Sequence, residues 1–238
     1  MKLTNRLRQY INNAKLTDFR HLASLSLTSE NSLRVTLSRL AASGEIYNPI
    51  RGVYISKGAD MFWVACRLYP GYISLSTALY IHHLTEEFPF TIFVASEVRK
   101  SVEMGNIEFA YFKAKDYLGV EKGAYDVASV EKTVCDSLRH GALVNFQTLA
   151  KALYFADIKA DVVLDLSENE DSAFFQRLGY LLSILPRLDK EKRKLLMECK
   201  KRVKANAYLC GRSKGVYIPK WKIIDNIGKE VLLSWWLQ

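Results

Sequence analysis

The chain has 238 residues, with 34 Lys and Arg against 25 Asp and Glu, a formal net charge of +9, 49% hydrophobic and 25% charged residues. That composition excludes a disordered chain and describes a globular protein with a buried core, built as one large domain or as a small one joined to a medium one. The basic excess favours polyanionic partners, because cations that neutralise phosphates release condensed counterions.

Cys66, Cys135, Cys199 and Cys210 are widely spaced, with no Cys-x-x-Cys pair and no histidine at zinc-ligand spacing. They read as reduced thiols of a cytoplasmic protein. The opening MKLTNRLRQYINN lacks the apolar centre of a signal peptide, and no run approaches the roughly 20 apolar residues needed to cross a bilayer. No membrane partner is expected.

Leu3, Leu7, Tyr10, Ile11 and Ala14 recur at helical spacing. A second helix is predicted after Leu16, capped by Thr17 or Asp18, with Phe19, Leu22 and Ala23 inward. A third starts at Ser29 as N-cap, buries Leu33, Leu37, Leu40 and Ala41, and ends at Gly44, a residue suited to the left-handed position. At 100° per residue the opposite face carries Asn31, Ser32, Val35, Ser38 and Arg39, with Arg34 on its flank. Glu45-Ile46-Tyr47, a turn at Asn48-Pro49, and Ile50 to Ile55 then read as a two-stranded hairpin.

Three helices and a hairpin is the order of a winged helix-turn-helix. In that motif the reading helix lies in the DNA major groove and arginines and small polar side chains reach bases and phosphates. The expected DNA-binding residues are therefore Ser29, Asn31, Ser32, Arg34, Val35, Ser38 and Arg39, with Asn48 and Arg51 on the wing. Met1 to Ser56 holds +5 of the net charge, more than half of it in under a quarter of the chain. A winged helix can also serve as a protein-protein module with the same stripe.

Beyond Gly58 the pattern is mixed. Helices are predicted over Asp60–Tyr69 and Ser74–Leu84, strands over Phe90–Ala95 and Ile107–Lys113, and a helix within Tyr125–Leu138. Helices follow over Phe146–Ala156, Ser172–Leu185 and Lys190–Lys204, and extended chain around Val216 to Ile224. The expected fold is α+β in two domains, a winged helix-turn-helix over residues 1–58 and a larger α+β domain over 59–238.

The segment LDKEKRKLLMECKKRVKAN has Leu188, Leu195, Leu196, Cys199 and Val203 along one helix side and cations on the rest. It reads as a solvated face, or as a docking surface for RNA or an RNA-binding protein through Lys192, Arg193, Lys194, Lys200, Lys201 and Lys204. Asp157, Asp161 and Asp165 would align on a helix, but Val162-Val163-Leu164 argues partly for a strand, and no metal site is expected there. Glu198 and Lys200 match half of a nuclease signature that needs a strand, whereas this run has a helical pattern. His82 and His83, adjacent on a helix, point about 100° apart and cannot share a metal. No phosphate-binding glycine loop or nucleophile elbow occurs, and Gly211-Arg212-Ser213-Lys214-Gly215 lacks the strand-loop-helix frame. Neither a catalytic residue nor a cofactor is expected.

Four segments in order resemble the AbiE-type antitoxins of type IV toxin-antitoxin systems, also described as transcriptional regulators of viral defence. They are the winged helix ending in RGVYI, RLYPGYISLSTALYIHHL, YDVASVEKTVCDSLR and GRSKGVYIPKWKIIDN. His83 stands where that pattern commonly has glycine, and Lys132 where it has arginine. The resemblance implies a non-enzymatic repressor that binds double-stranded operator DNA through its N-terminal domain and counteracts a nucleotidyltransferase-like toxin through its C-terminal domain, without a stable complex being required. In the third segment, Glu131, Lys132, Thr133 and Asp136 read as a helix start. Trp221 reads as a core anchor. The rival readings are a one-component repressor whose second domain senses a small ligand and, less favoured, an enzyme acting on nucleic acid.

Overall fold

The computed structural model describes residues 3–236 of a mixed α+β protein. Helix α1 (Leu3–Ala14) is amphipathic and buries Leu7 and Ile11. Strand β1 (Leu16–Asp18) follows, a short element absent from the sequence reading because three residues carry no usable periodicity. Helix α2 (Phe19–Ser24) is capped by Asp18, which accepts the His21 N–H, and α3 (Glu30–Ala42) buries Leu33, Leu37 and Leu40. Strands β2 (Ile46–Tyr47) and β3 (Val53–Ser56) close the segment, with β3 at the centre of a β1-β3-β2 antiparallel sheet.

Asp60 caps α4 (Met61–Leu68), Gly71–Ile73 forms β4 and Leu75–Ile81 forms α5. Next come β5 (Thr91–Ser96), β6 (Lys100–Met104), β7 (Ile107–Lys113), β8 (Val120–Glu121) and β9 (Val127–Ala128). The helical late half comprises α6 (Val130–Arg139), α7 (Phe146–Phe155), α8 (Ala160–Leu166), α9 (Ser172–Ile184) and α10 (Lys190–Lys201). Strands β10 (Ala207–Tyr208), β11 (Val216–Ile218) and β12 (Ile223–Asp225) and helix α11 (Lys229–Leu232) end the described chain. Val162 to Leu164 lie inside α8, so the β-branched pair there does not make a strand. Val163 is fully buried in the core and Leu164 packs partly against it, while Val162 stays exposed, the one-sided pattern of a helix.

Two compact units are present: Met1–Gly71 with Phe90–Lys113, and Tyr72–Pro89 with Ala114–Gln238. The first does not stop at Gly58. It holds one core around Leu7, Ile11, Leu22, Leu33, Leu37, Leu40 and Ile46. A second core joins Ile55 and Ala59 to Val64, Ile92, Val94 and Phe109, which ties the hairpin to α4 and to β5 and β7. In that unit β7 runs parallel to β5 and antiparallel to β6.

The second unit has one large core drawn from α6 through α11 and β10 to β12. Trp221 is its largest fully buried side chain and lies against Gly179, where an added Cβ would come within 2.2 Å of the indole. Its Nε1 donates to Ser183 Oγ at 3.0 Å, so both the apolar body and the polar edge of the ring are accommodated.

Candidate nucleic-acid interface and a buried ionic cluster

The outward face of α3 follows from its ends and its stripe. Ser29 is extended and its Oγ accepts the Ser32 N–H at 3.4 Å, which starts the helix. At the other end Gly44, at φ +67, lets Glu45 N–H reach Leu40 O and Gly44 N–H reach Ala41 O. That is the paired closure favoured by a left-handed glycine. With the three leucines turned inward, Ser29, Asn31, Ser32, Arg34, Val35, Ser38 and Arg39 are all exposed. Ser29 contributes to this face as its cap, whereas the other six present it.

Arg34 is held by two neighbours: its guanidinium lies 4.0 Å from the Phe19 ring centroid and 3.6 Å from Glu30 Oε2. Stacking of this kind orders an arginine without consuming its fork of donors. Arg34 also lines a groove of about 530 Å³ with Phe19, Arg20, Asn48, Arg51 and Tyr54. Burial raises the Tyr54 phenol above its ordinary value while the charge of Arg34 pulls it down. Arg20 belongs to this groove, a position that sequence reasoning missed because α2 is too short for its outward face to be assigned by periodicity.

Asn48, expected at the proposed DNA contact, is exposed and also holds the turn. Its Nδ2 donates to Ile50 O at 2.9 Å and Val53 O at 2.6 Å. Both amide protons are thus consumed in closing the β2-β3 turn, leaving Oδ1 as the only group it can offer. Arg51 sits exposed at the tip of that turn.

The basic surface expected on α10 is only partly a surface. Lys192 is a correction: it is 4% exposed, and its ammonium donates to Tyr154 O, Ala156 O and Asp189 Oδ2. Its four-carbon stem fits the apolar stripe while the head satisfies carbonyls at the end of α7. Lys194 pairs with Asp161 and Lys201 with Glu198. Arg193, Lys200 and Lys204 are exposed and have no acidic partner among the described residues.

The second unit contains a constellation that the sequence indicated only as a helix start. The cap of α6 is Ser129, whose Oγ accepts the Lys132 N–H. Glu131, in the first turn, instead accepts the Lys159 N–H from the segment ahead of α8. Lys132 is fully buried, with Nζ 2.7 Å from Asp116 Oδ1 and 3.3 Å from Asp136 Oδ1. Arg139, about one turn after Asp136, donates to Asp136 Oδ1 at 2.9 Å, Glu170 Oε1 at 2.7 Å and Leu166 O at 2.6 Å. Tyr72 and Ser74 donate to Asp136 Oδ2 at 3.1 and 3.0 Å.

Electrostatics follow from that geometry. Burial works against charge on Asp116, but the hydrogen bond and charge of Lys132, the Leu118 N–H and Arg139 outweigh it and hold the carboxyl below its usual value. Burial likewise opposes charge on Arg139, and the Glu170 hydrogen bond with the carboxylates of Glu170 and Asp136 overcomes it. Burial pushes the Cys135 and Cys199 thiols up to about 12, so neither is a thiolate nucleophile near neutral pH.

Other candidates are not assembled. His82 bonds Ala128 O at 2.7 Å through Nε2, and His83 is exposed. Glu198 and Lys200 lie on helix α10 as expected. Asp157 precedes α8 while Asp161 and Asp165 lie on it, and no group of three His, Cys, Asp or Glu suited to a metal occurs among the described residues. No helix of the described residues is long and apolar enough to cross a membrane.

No family model and no curated protein matches this chain. A crystal structure of the RV2827C protein from Mycobacterium tuberculosis is similar over 99% of this chain and 94% of that one, with a TM-score of 0.68 at 13% identity. At that identity the likeness is one of fold, and it extends across both compact units of this chain.

Proposed function

We propose that this protein is a DNA-binding transcriptional repressor and antitoxin, with residues 3–56 forming a winged helix-turn-helix. The order α1-β1-α2-α3-β2-β3, with a β1-β3-β2 sheet, supports that reading. The observation that carries it is the convergence of exposed Arg20, Arg34 and Arg51 around one groove beside a helix face of short side chains. Such a face approaches DNA closely, with Arg34 and Arg39 donating to guanine or phosphate, Asn31 to adenine, and Val35 meeting a thymine methyl. The wing through Arg51 meets the phosphate backbone or the minor groove.

The second unit counteracts a nucleotidyltransferase-like toxin encoded nearby and performs no catalysis of its own. The support is the family-like third segment: its Lys132, Asp136 and Arg139 form a hydrogen-bonded scaffold, a use of ionic residues that fits a recognition domain. A stable complex with the toxin is not required.

The test is a gel-shift titration at fixed salt with the duplex upstream of the protein's own gene. Arg34→Ala combined with Arg39→Ala is expected to weaken binding at least about thirty-fold, each base-contacting arginine being worth roughly 1–3 kcal/mol. Unchanged affinity would refute the reading. The same double variant, co-expressed with the adjacent toxin gene, is expected to lose repression and keep neutralisation.

A further inference from the structure

We propose a second nucleic-acid site, specific for single strands, in the groove between the end of α7 and the start of α10. The groove measures about 800 Å³. Phe155 and Met197 line it, 60% and 57% exposed, an apolar patch held in water beside the cations of α10. Arg187, Lys190 and Arg193 line the same groove and are exposed, with no acidic partner among the described residues. Among the described residues Asp189 is the one carboxylate lining it, and Lys192 neutralises that group at 2.7 Å.

An aromatic floor bordered by unpaired cations matches a ligand that alternates flat π-faces with phosphates. The ring is supported from behind: Tyr154 packs edge-on against Phe155 with centroids 5.0 Å apart, and Trp235 and Trp236 lie 5.3 and 5.2 Å from Tyr154. A duplex keeps its base faces stacked inside and cannot lay them on Phe155. The occupant is therefore a single-stranded nucleic acid, held without sequence preference, and the site operates independently of the α3 face.

The test uses the full chain, saturated with duplex DNA to occupy the α3 face, and fluorescence anisotropy of labelled mixed-sequence RNA and DNA strands of about 12 nucleotides. Either or both strands are expected to bind, and the arm that binds identifies the sugar. Phe155→Ala is expected to weaken that binding about ten-fold, the loss of one stacking contact. Replacing Arg187, Lys190 and Arg193 by Gln is expected to flatten the salt dependence by a log–log slope of about 2, three phosphate contacts on a single strand. All four side chains are solvent-accessible, and both variants are expected to keep their far-UV dichroism and duplex affinity. The proposal is overturned if neither strand binds, if binding is unchanged in both variants, or if an acidic Glu/Leu-repeat peptide displaces the strands and is the tighter ligand.

Discussion

The α3 face and the α6 cluster use the same residue types in opposite ways. On α3, arginines stand in water beside small polar side chains, with Arg34 57% exposed and tied, among the described residues, to Glu30 and the Phe19 ring. Around α6, Lys132 and Asp136 are buried, the Arg139 side chain is only 7% exposed, and each is bound to more than one partner. A charge in water is available to a partner, and an exposed ion pair such as Arg34–Glu30 contributes little to stability. A buried charge is committed, because removing it strands its neighbours in low dielectric. Mutation should therefore separate the two regions cleanly, with binding lost from one and stability from the other.

The largest effect is expected at Lys132. Lys132→Ala takes from Asp116 and Asp136 the buried ammonium between them and leaves Arg139 as their remaining cation, and the cost is about 3–5 kcal/mol of unfolding free energy in urea titration. A loss below 1 kcal/mol would place the cluster with surface ion pairs and erase the contrast with α3. The same cluster sets an acid limit. Asp116 has a depressed carboxyl in the folded state, so its contribution is fully present above its ordinary value near 3.8 and is lost as pH falls through the folded value. The wild-type protein should lose stability below about pH 4, and Lys132→Ala should flatten that dependence.

Asn48 lies on the binding side of the comparison in sequence and on the stability side in structure. Asn48→Ala removes two hydrogen bonds to the turn and should cost about 1–2 kcal/mol by thermal unfolding. Once folded, the variant should bind duplex DNA with the wild-type salt slope, because no phosphate contact is lost. Arg51→Ala should do the reverse, keeping the melting temperature and lowering the slope by about 0.9, one phosphate contact on duplex DNA. If Asn48→Ala flattened the salt slope, the proposed DNA interface would extend along the turn beyond Arg51.

How much was legible in sequence follows the same division. The leucine stripe and both ends of α3 were readable, because its core positions repeat every three to four residues and Ser29 and Gly44 have the chemistry of caps. Strand β7, Ile107–Lys113, was readable from its β-branched and aromatic run. Strands β1, β4 and β6 were not, being short or charged: Lys100–Met104 presents three of its five side chains to solvent. The ionic cluster was hidden because its partners come from Tyr72, Ser74, Asp116 and Glu170, brought together only by the fold. Likewise nothing local in KEKRK distinguishes the buried Lys192 from its exposed neighbours, since the carbonyls that receive it belong to α7 and the residue after it. The expected boundary at Gly58 follows the end of the hairpin, whereas Ile55 packs with residues beyond it. A deletion of residues 1–58 would therefore open the first unit, and point variants are the sounder way to separate the proposed DNA binding from the proposed neutralisation.

The smallest predicted effect compares two helix ends with the same closure. After α5, His83 N–H reaches Tyr80 O and Leu84 N–H reaches Leu79 O, the pairing that Gly44 and Glu45 make after α3. His83 adopts φ +57 there, where Gly44 has φ +67. A non-glycine residue pays roughly 1–2 kcal/mol for that conformation, while glycine pays part of it back through the greater freedom of its unfolded chain. His83→Gly should therefore stabilise the protein by about 0.5–1 kcal/mol, and Gly44→Ala should destabilise it by about 1 kcal/mol. Because His83 is exposed and its side chain is not required by the closure, a loss of stability in His83→Gly would mean that the imidazole itself contributes a contact. Unchanged stability would mean that the helix end relaxes the strain, and the two closures would then differ in more than their residue.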